Sequence, residues 1–125
     1  MGAIKDRSRM GLAEAKTYAK DQNQECGAGD LVLSLILEAA KERADYICQN
    51  PFCLEDEDGE YVLDGNGNRI PQPIPIEVEL WILRKFVKNS RFRMVGNNDE
   101  NQFDIGSVKM DKEDWRELGS YIKYS

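Results

Sequence analysis

The chain has 125 residues, 41% of them hydrophobic and 32% charged, and its 17 basic against 23 acidic side chains leave a net charge of −6. That size holds one domain with one modest core, and the composition is too apolar for a disordered chain and too charged for a membrane protein. No apolar run approaches the roughly 20 residues needed to span a bilayer, the charged N-terminus lacks a signal-peptide core, and the acidic balance argues against whole-surface binding to nucleic acid or anionic lipid, so a soluble, intracellular domain is expected.

Residues 1–9 carry Lys5, Arg7 and Arg9 with little to bury, and read as a flexible lead-in. From Met10 to Lys20, Leu12, Ala15, Tyr18 and Ala19 recur at helical intervals, which predicts a short amphipathic helix. Asp21–Gly29 is polar and holds two glycines, as a loop would. Asp30 then stands where an N-cap is wanted, and from Leu31 to Cys48 the residues Leu33, Ile36, Leu37, Ala40, Ala44 and Ile47 trace one face. Val32, Leu35 and Ala39 widen that stripe, so contact on two sides is expected, and Lys41–Asp45 has ion-pair spacing. Asn50-Pro51 ends the helix, because proline disfavours α geometry in the residue before it.

The stretch 54–73 differs in character. An acidic run, Glu55 to Asp58, precedes Glu60–Asp64, an Asn/Gly turn at 65–68, and Arg69-Ile70, which together predict a protruding β-hairpin insertion. Pro71, Pro73 and Pro75 stiffen the exit, with Pro75 suited to a first helical turn. A third long helix is expected from Ile76 to Asn89, with Ile76, Leu80, Leu83 and Val87 as its inner stripe and Trp81, Ile82 and Phe86 broadening it. From Arg84 to Arg93 lie five cations, Arg84, Lys85, Lys88, Arg91 and Arg93, without an acid between Glu79 and Asp99. After a turn at 96–99, the alternation in 103–110 suggests a short β element with a glycine bulge. Asp111 is placed to cap a final helix carrying Trp115, Leu118, Tyr121, Ile122 and Tyr124, with Asp114 near its positive end and Gly119 weakening it. No internal repeat is evident. The expected fold is mainly α: one small domain over residues 1–125 with about four helices, a protruding hairpin and a short β element before the C-terminal helix.

Chemistry is sparse. Without histidine the commonest acid–base catalyst and the commonest metal ligand are both missing, and the serines show no nucleophile-elbow glycines. Cys26, Cys48 and Cys53 make neither a closed disulfide framework nor a zinc site, and read as reduced thiols packed as small hydrophobes. Asp64-Gly65-Asn66-Gly67-Asn68 has the alternating oxygens of a calcium loop, but its continuation through Arg69 and Pro75 does not, so a turn is expected. Many carboxylates are present and no spacing singles out a catalytic pair. No enzyme activity, cofactor or metal is expected. A wide apolar helix points instead to an assembly protein.

The order of elements then becomes informative. Leu12-Ala13-Glu14-Ala15-Lys16-Thr17-Tyr18 leads to Asp30-Leu31-Val32-Leu33-Ser34-Leu35-Ile36-Leu37-Glu38-Ala39-Ala40, closing on Asp45-Tyr46-Ile47-Cys48 and Pro51-Phe52. Ile74-Pro75-Ile76-Glu77-Val78-Glu79-Leu80-Trp81-Ile82-Leu83 follows, ending at Asn89-Ser90-Arg91. This resembles the head–tail connector (adaptor) proteins of tailed bacteriophages and prophages, from about Leu12 to the C-terminus. Two departures are the long acidic insertion at 55–70 and a closing segment, 115–124, that matches only loosely.

The resemblance implies a structural virion protein in the phage neck. It would form a homo-oligomeric ring, dodecameric in the family, that joins the portal protein to a stopper or tail component. DNA would pass through the ring's channel. On that reading Trp115, Leu118, Tyr121, Ile122 and Tyr124 dock on the portal, and Arg84, Lys88, Arg91 and Arg93 meet acidic surface on a neighbouring subunit or the portal. The competing expectation is a small prophage-encoded DNA-binding regulator using the basic end of the third helix.

Overall fold

Leu33, Ile36, Leu37, Ala40, Ala44, Ile47 and Cys48 fall on one face of a 19-residue helix, and all are buried. That helix is the central element of a computed structural model that describes residues 2–23, 29–95 and 112–123, with the backbone alone at 91–95 and 112. The elements in chain order are α1 (Ala3–Arg7), α2 (Leu12–Asp21), α3 (Asp30–Cys48), α4 (Ile76–Val95), α5 (Lys112–Glu117) and a 3-10 turn at Gly119–Tyr121. The described residues are mainly helical and include no β-strand. The β element expected at 103–110 and the Asp111 cap lie outside the described residues, as do Cys26 and Tyr124.

α3 and α4 pack face to face. The Lys123 amide donates to the Cys48 carbonyl at 2.8 Å, and the Tyr121 hydroxyl donates to Glu77 Oε1 at 2.8 Å. The end of α3 and the start of α4 therefore share one end of the pair, and the two helices run antiparallel. α4 turns a different face inward from the one its spacing suggested. Val78, Trp81, Ile82 and Phe86 are buried, with Val87 at the edge and Leu83 half-buried, whereas Ile76 is 72% exposed and Leu80 36%. Both stripes have helical period. The one with Trp81 and Phe86 removes more apolar area from water, and it takes the core. α4 also runs six residues beyond Asn89, to Val95, and the cations near its end suit the negative pole of a helix.

Helix ends depart from the expected caps. Asp30 is the first residue of α3 and not its cap. Gly29 holds that position, and Asp30 pairs with Lys16 at 2.9 Å. Pro75 precedes α4 and supplies the carbonyl that accepts from the Val78 and Glu79 amides. α3 stops as expected just before Asn50, with Gln49 in the left-handed conformation.

Residues 1–9 are not a loose lead-in over the part described. Ile4 is fully buried, and the Asp45 carboxylate on α3 accepts the α1 amides of Ile4 at 2.8 Å and Lys5 at 3.0 Å. Arg7 donates to the carbonyls of Pro51, Phe52 and Gln72, and Arg9 to that of Ile74 at 2.6 Å. Ser8 and Arg9 together satisfy the buried Glu79 carboxylate. Two arginines thus knit the N-terminus to backbone some 45 to 65 residues away, which hydrophobic periodicity does not reveal.

The insertion at 54–73 forms three isolated antiparallel bridges, Cys53–Pro71, Glu55–Tyr61 and Leu63–Arg69, with no continuous ladder. The chain here is an eight-residue repeat that the sequence reading did not detect: Leu54-Glu55-Asp56-Glu57-Asp58-Gly59-Glu60-Tyr61, then Val62-Leu63-Asp64-Gly65-Asn66-Gly67-Asn68-Arg69. In the first copy Asp56 Oδ1 accepts from the amides of Asp58 and Glu60 at 2.9 and 3.0 Å. In the second, Asp64 Oδ1 accepts from Asn66 and Asn68 at 2.8 and 3.0 Å. Gly59 and Gly67 adopt φ of 82° and 81°, where a Cβ is strained. Two tight turns, each closed by its own aspartate, leave room for one bridge apiece, and Pro71 brings no amide to extend them.

Candidate functional site

The expected basic cluster is divided in the structure. Arg84 Nη2 lies 2.8 Å from Glu117 Oε2, and Lys85 Nζ lies 2.6 Å from Asp114 Oδ2, with both members of the second pair 6% exposed. Two of the five cations are therefore spent inside the chain, on α5. Lys88 is exposed on α4. Arg91 and Arg93 lie on the last turn and a half of α4, and their side chains fall outside the described residues.

The expected docking segment is likewise divided. Trp115 is 43% exposed and meets the exposed Tyr46 edge-on, with ring centroids 6.3 Å apart. Leu118 is buried in the subunit core and Ile122 packs against it, so these two residues complete this chain's own core instead of forming an outward surface. The reason is Asp114: its pairing with Lys85 pins α5 across α4 and turns Leu118 inward. Tyr121 is half-buried, and its bond to the Glu77 carboxylate pushes the phenol above its ordinary pKa. Glu77 is held below the usual carboxylate range, chiefly by its own backbone amide and then by Tyr121.

The insertion is braced from below. Tyr61 lies under the guanidinium of Arg69, 4.1 Å from the ring centroid, and under the Lys123 ammonium at 4.8 Å, while Lys123 Nζ reaches Glu55 at 2.8 Å. An open cleft of about 990 Å³ runs between α1, the end of α3 and this brace, with Lys5, Asp45, Tyr46 and Arg69 among its walls. Its charges are of both signs. Burial pushes the Asp45 carboxyl up, against the downward pull of the two α1 amides.

The turn aspartates aim at backbone amides, and among the described residues no group of three His, Cys, Asp or Glu side chains could hold a metal ion. Cys48 and Cys53 are free thiols. Burial, helped by Asp45, pushes the Cys48 thiol up to about 12. No helix among the described residues is long and apolar enough to cross a membrane.

Most of the large apolar side chains left on the surface are on helices, with Leu54 and Leu63 on the insertion. Leu31 and Leu35 on α3, Ile76 and Leu80 on α4, and the Tyr46–Trp115 pair are exposed, although each helix already buries a full inner face. The apolar stripe of α3 is wider than its buried face, as its spacing suggested, whereas Ile76 and Leu80, expected on the inner stripe of α4, lie outside. No family model, curated protein or solved structure matches the chain.

Proposed function

We propose that this chain is a head–tail connector (adaptor) subunit of a tailed bacteriophage or prophage, which forms a homo-oligomeric ring between the portal protein and a stopper or tail component. The observation that carries the reading is the pair of long helices, α3 and α4, that bury one face in the subunit and expose aliphatic side chains on the other. Scattered exposed apolar residues are ordinary, but Leu31 with Leu35 and Ile76 with Leu80 sit one turn apart, as patches that want a partner. The order of elements supports the same reading: a short helix, a long helix closing before Asn50-Pro51, a projecting insertion in the place of a hairpin, a proline-led helix and a short closing helix. Trp115 is the exposed aromatic best placed to anchor a portal contact, since aromatics dominate such interfaces. The ring would extend the DNA channel, with DNA as passenger.

Co-expression with the portal protein of the same particle tests the proposal. The full chain is expected to co-migrate with the portal ring on size exclusion, and Trp115→Ala to reduce that association. A chain that elutes apart from assembled portal rings would contradict it.

A further inference from the structure

We propose, building on the ring reading above, that neighbouring copies of this chain pack the outer face of α3 against the outer face of α4, with Glu38 opposite Lys88, Glu42 opposite Arg84 and Tyr46 opposite Leu80. All six residues are exposed. Each trio has i, i+4, i+8 spacing, so it forms one ridge of its helix, directed away from the face that carries the core. One ridge is acidic with an aromatic end, and the other is basic with an aliphatic end.

Charge decides how two copies meet. A two-fold contact that laid α3 on α3 or α4 on α4 would set like charges against each other. A head-to-tail contact pairs unlike ridges and leaves a fresh ridge at each end, which closes into a ring when the rotation allows. Geometry supplies the register. In a ring whose axis runs along the helices, α3 of one copy lies antiparallel to α4 of the next, as it does within the subunit. Without an axial offset the heights are also those of the subunit, where Cys48 and Glu77 share one end of the helix pair through their bonds to the 121–123 segment. Both helices rise about 1.5 Å per residue, so stepping inward from that shared end sets Tyr46, Glu42 and Glu38 each within about one residue's rise of Leu80, Arg84 and Lys88. Glu42 and Arg84 already pair with Lys5 and Glu117 at the margins of these ridges. Both of those pairs are exposed and worth little, so they can be shared with an incoming partner.

The test is native mass spectrometry of the full chain and two charge-reversed variants, Glu38→Lys with Glu42→Lys, and Arg84→Glu with Lys88→Glu. The wild type is expected to form closed rings, and each variant alone to associate at least tenfold more weakly. Their equimolar mixture is expected to regain rings of even copy number with the two masses alternating. Thermal melts identify any variant that fails to fold. The single reversals Glu38→Lys and Lys88→Glu, neither of which removes a member of a salt bridge among the described residues, then carry the test. A wild-type ring with indifferent variants, or a mixture that does not recover, overturns this interface and leaves the ring standing. A wild type that stays monomeric overturns both.

Discussion

Lys85 and Asp114 form an ion pair 2.6 Å long with both side chains 6% exposed, and this pair fastens the closing segment to the subunit core. Neither charge was placed indoors by the sequence pattern. Removing Asp114 leaves the Lys85 ammonium buried without this carboxylate, at a cost of about 3–5 kcal/mol. Asp114→Ala is therefore expected to lower stability by that order, and Lys85→Met combined with Asp114→Leu by less, since no ammonium is then left buried. Urea titrations of the three proteins check this. A deletion after Met110 also removes Leu118 from the core, so it is expected to unfold the subunit and not merely to detach it from a partner.

The two stripes of α4 make opposite predictions. Phe86 is fully buried, and Phe86→Ala is expected to cost about 3–5 kcal/mol. Leu80, 36% exposed, belongs to the other stripe, and Leu80→Ala is expected to change monomer stability by less than about 1 kcal/mol. Chemical denaturation of the dilute chain separates the cases. Equal losses at both positions would show that α4 is rotated from the arrangement described.

Asp64 gives a pH signature. The Asn68 amide first, and then the Asn66 amide, hold its carboxyl below the ordinary carboxylate value. A depressed folded pKa means that the turn's stabilisation is present above the unfolded value and is lost as pH falls through the folded one. Carboxyl-carbon NMR is expected to give Asp64 a midpoint below that of an unstructured aspartate, with the Asn66 and Asn68 amides shifting at the same pH. A midpoint at or above the reference would mean that the aspartate does not close the turn.

Cys48 should be chemically silent. Its thiol is fully buried and pushed up to about 12, so at pH 8 almost no thiolate exists to attack a reagent. Cys53 is only partly covered. Peptide mapping after brief iodoacetamide treatment is expected to find label at Cys53 well before Cys48. Denaturant should release Cys48, and equal labelling rates in the folded chain would contradict its burial.

Much of the helical frame was legible in the sequence, because the spacing of Leu33, Ile36, Leu37, Ala40, Ala44 and Ile47 admits one inner face. α4 was ambiguous because Ile76, Leu80, Leu83 and Val87 keep helical period as well as Val78, Ile82 and Phe86 do, and only packing against α3 chooses between them. The N-terminal segment escaped notice because Arg7 and Arg9 work on backbone carbonyls far along the chain, which no local pattern records. The eight-residue repeat is carried by Asp56, Gly59, Asp64 and Gly67, while the residues between them differ, so composition hid it. Of the expected docking residues, Trp115 remained outside. Leu118 was drawn into the core by a neighbour whose buried pairing no spacing announces.

The measurement that tests the central claim most directly is cryo-electron microscopy of the neck of tailed particles whose genome encodes this chain, with peptide mass spectrometry of the same particles. A ring of these helical subunits beneath the portal, built from this chain's peptides, is the result predicted. Purified particles that lack the chain, or a purified chain that stays a monomer or dimer and retards DNA at low salt, would contradict it.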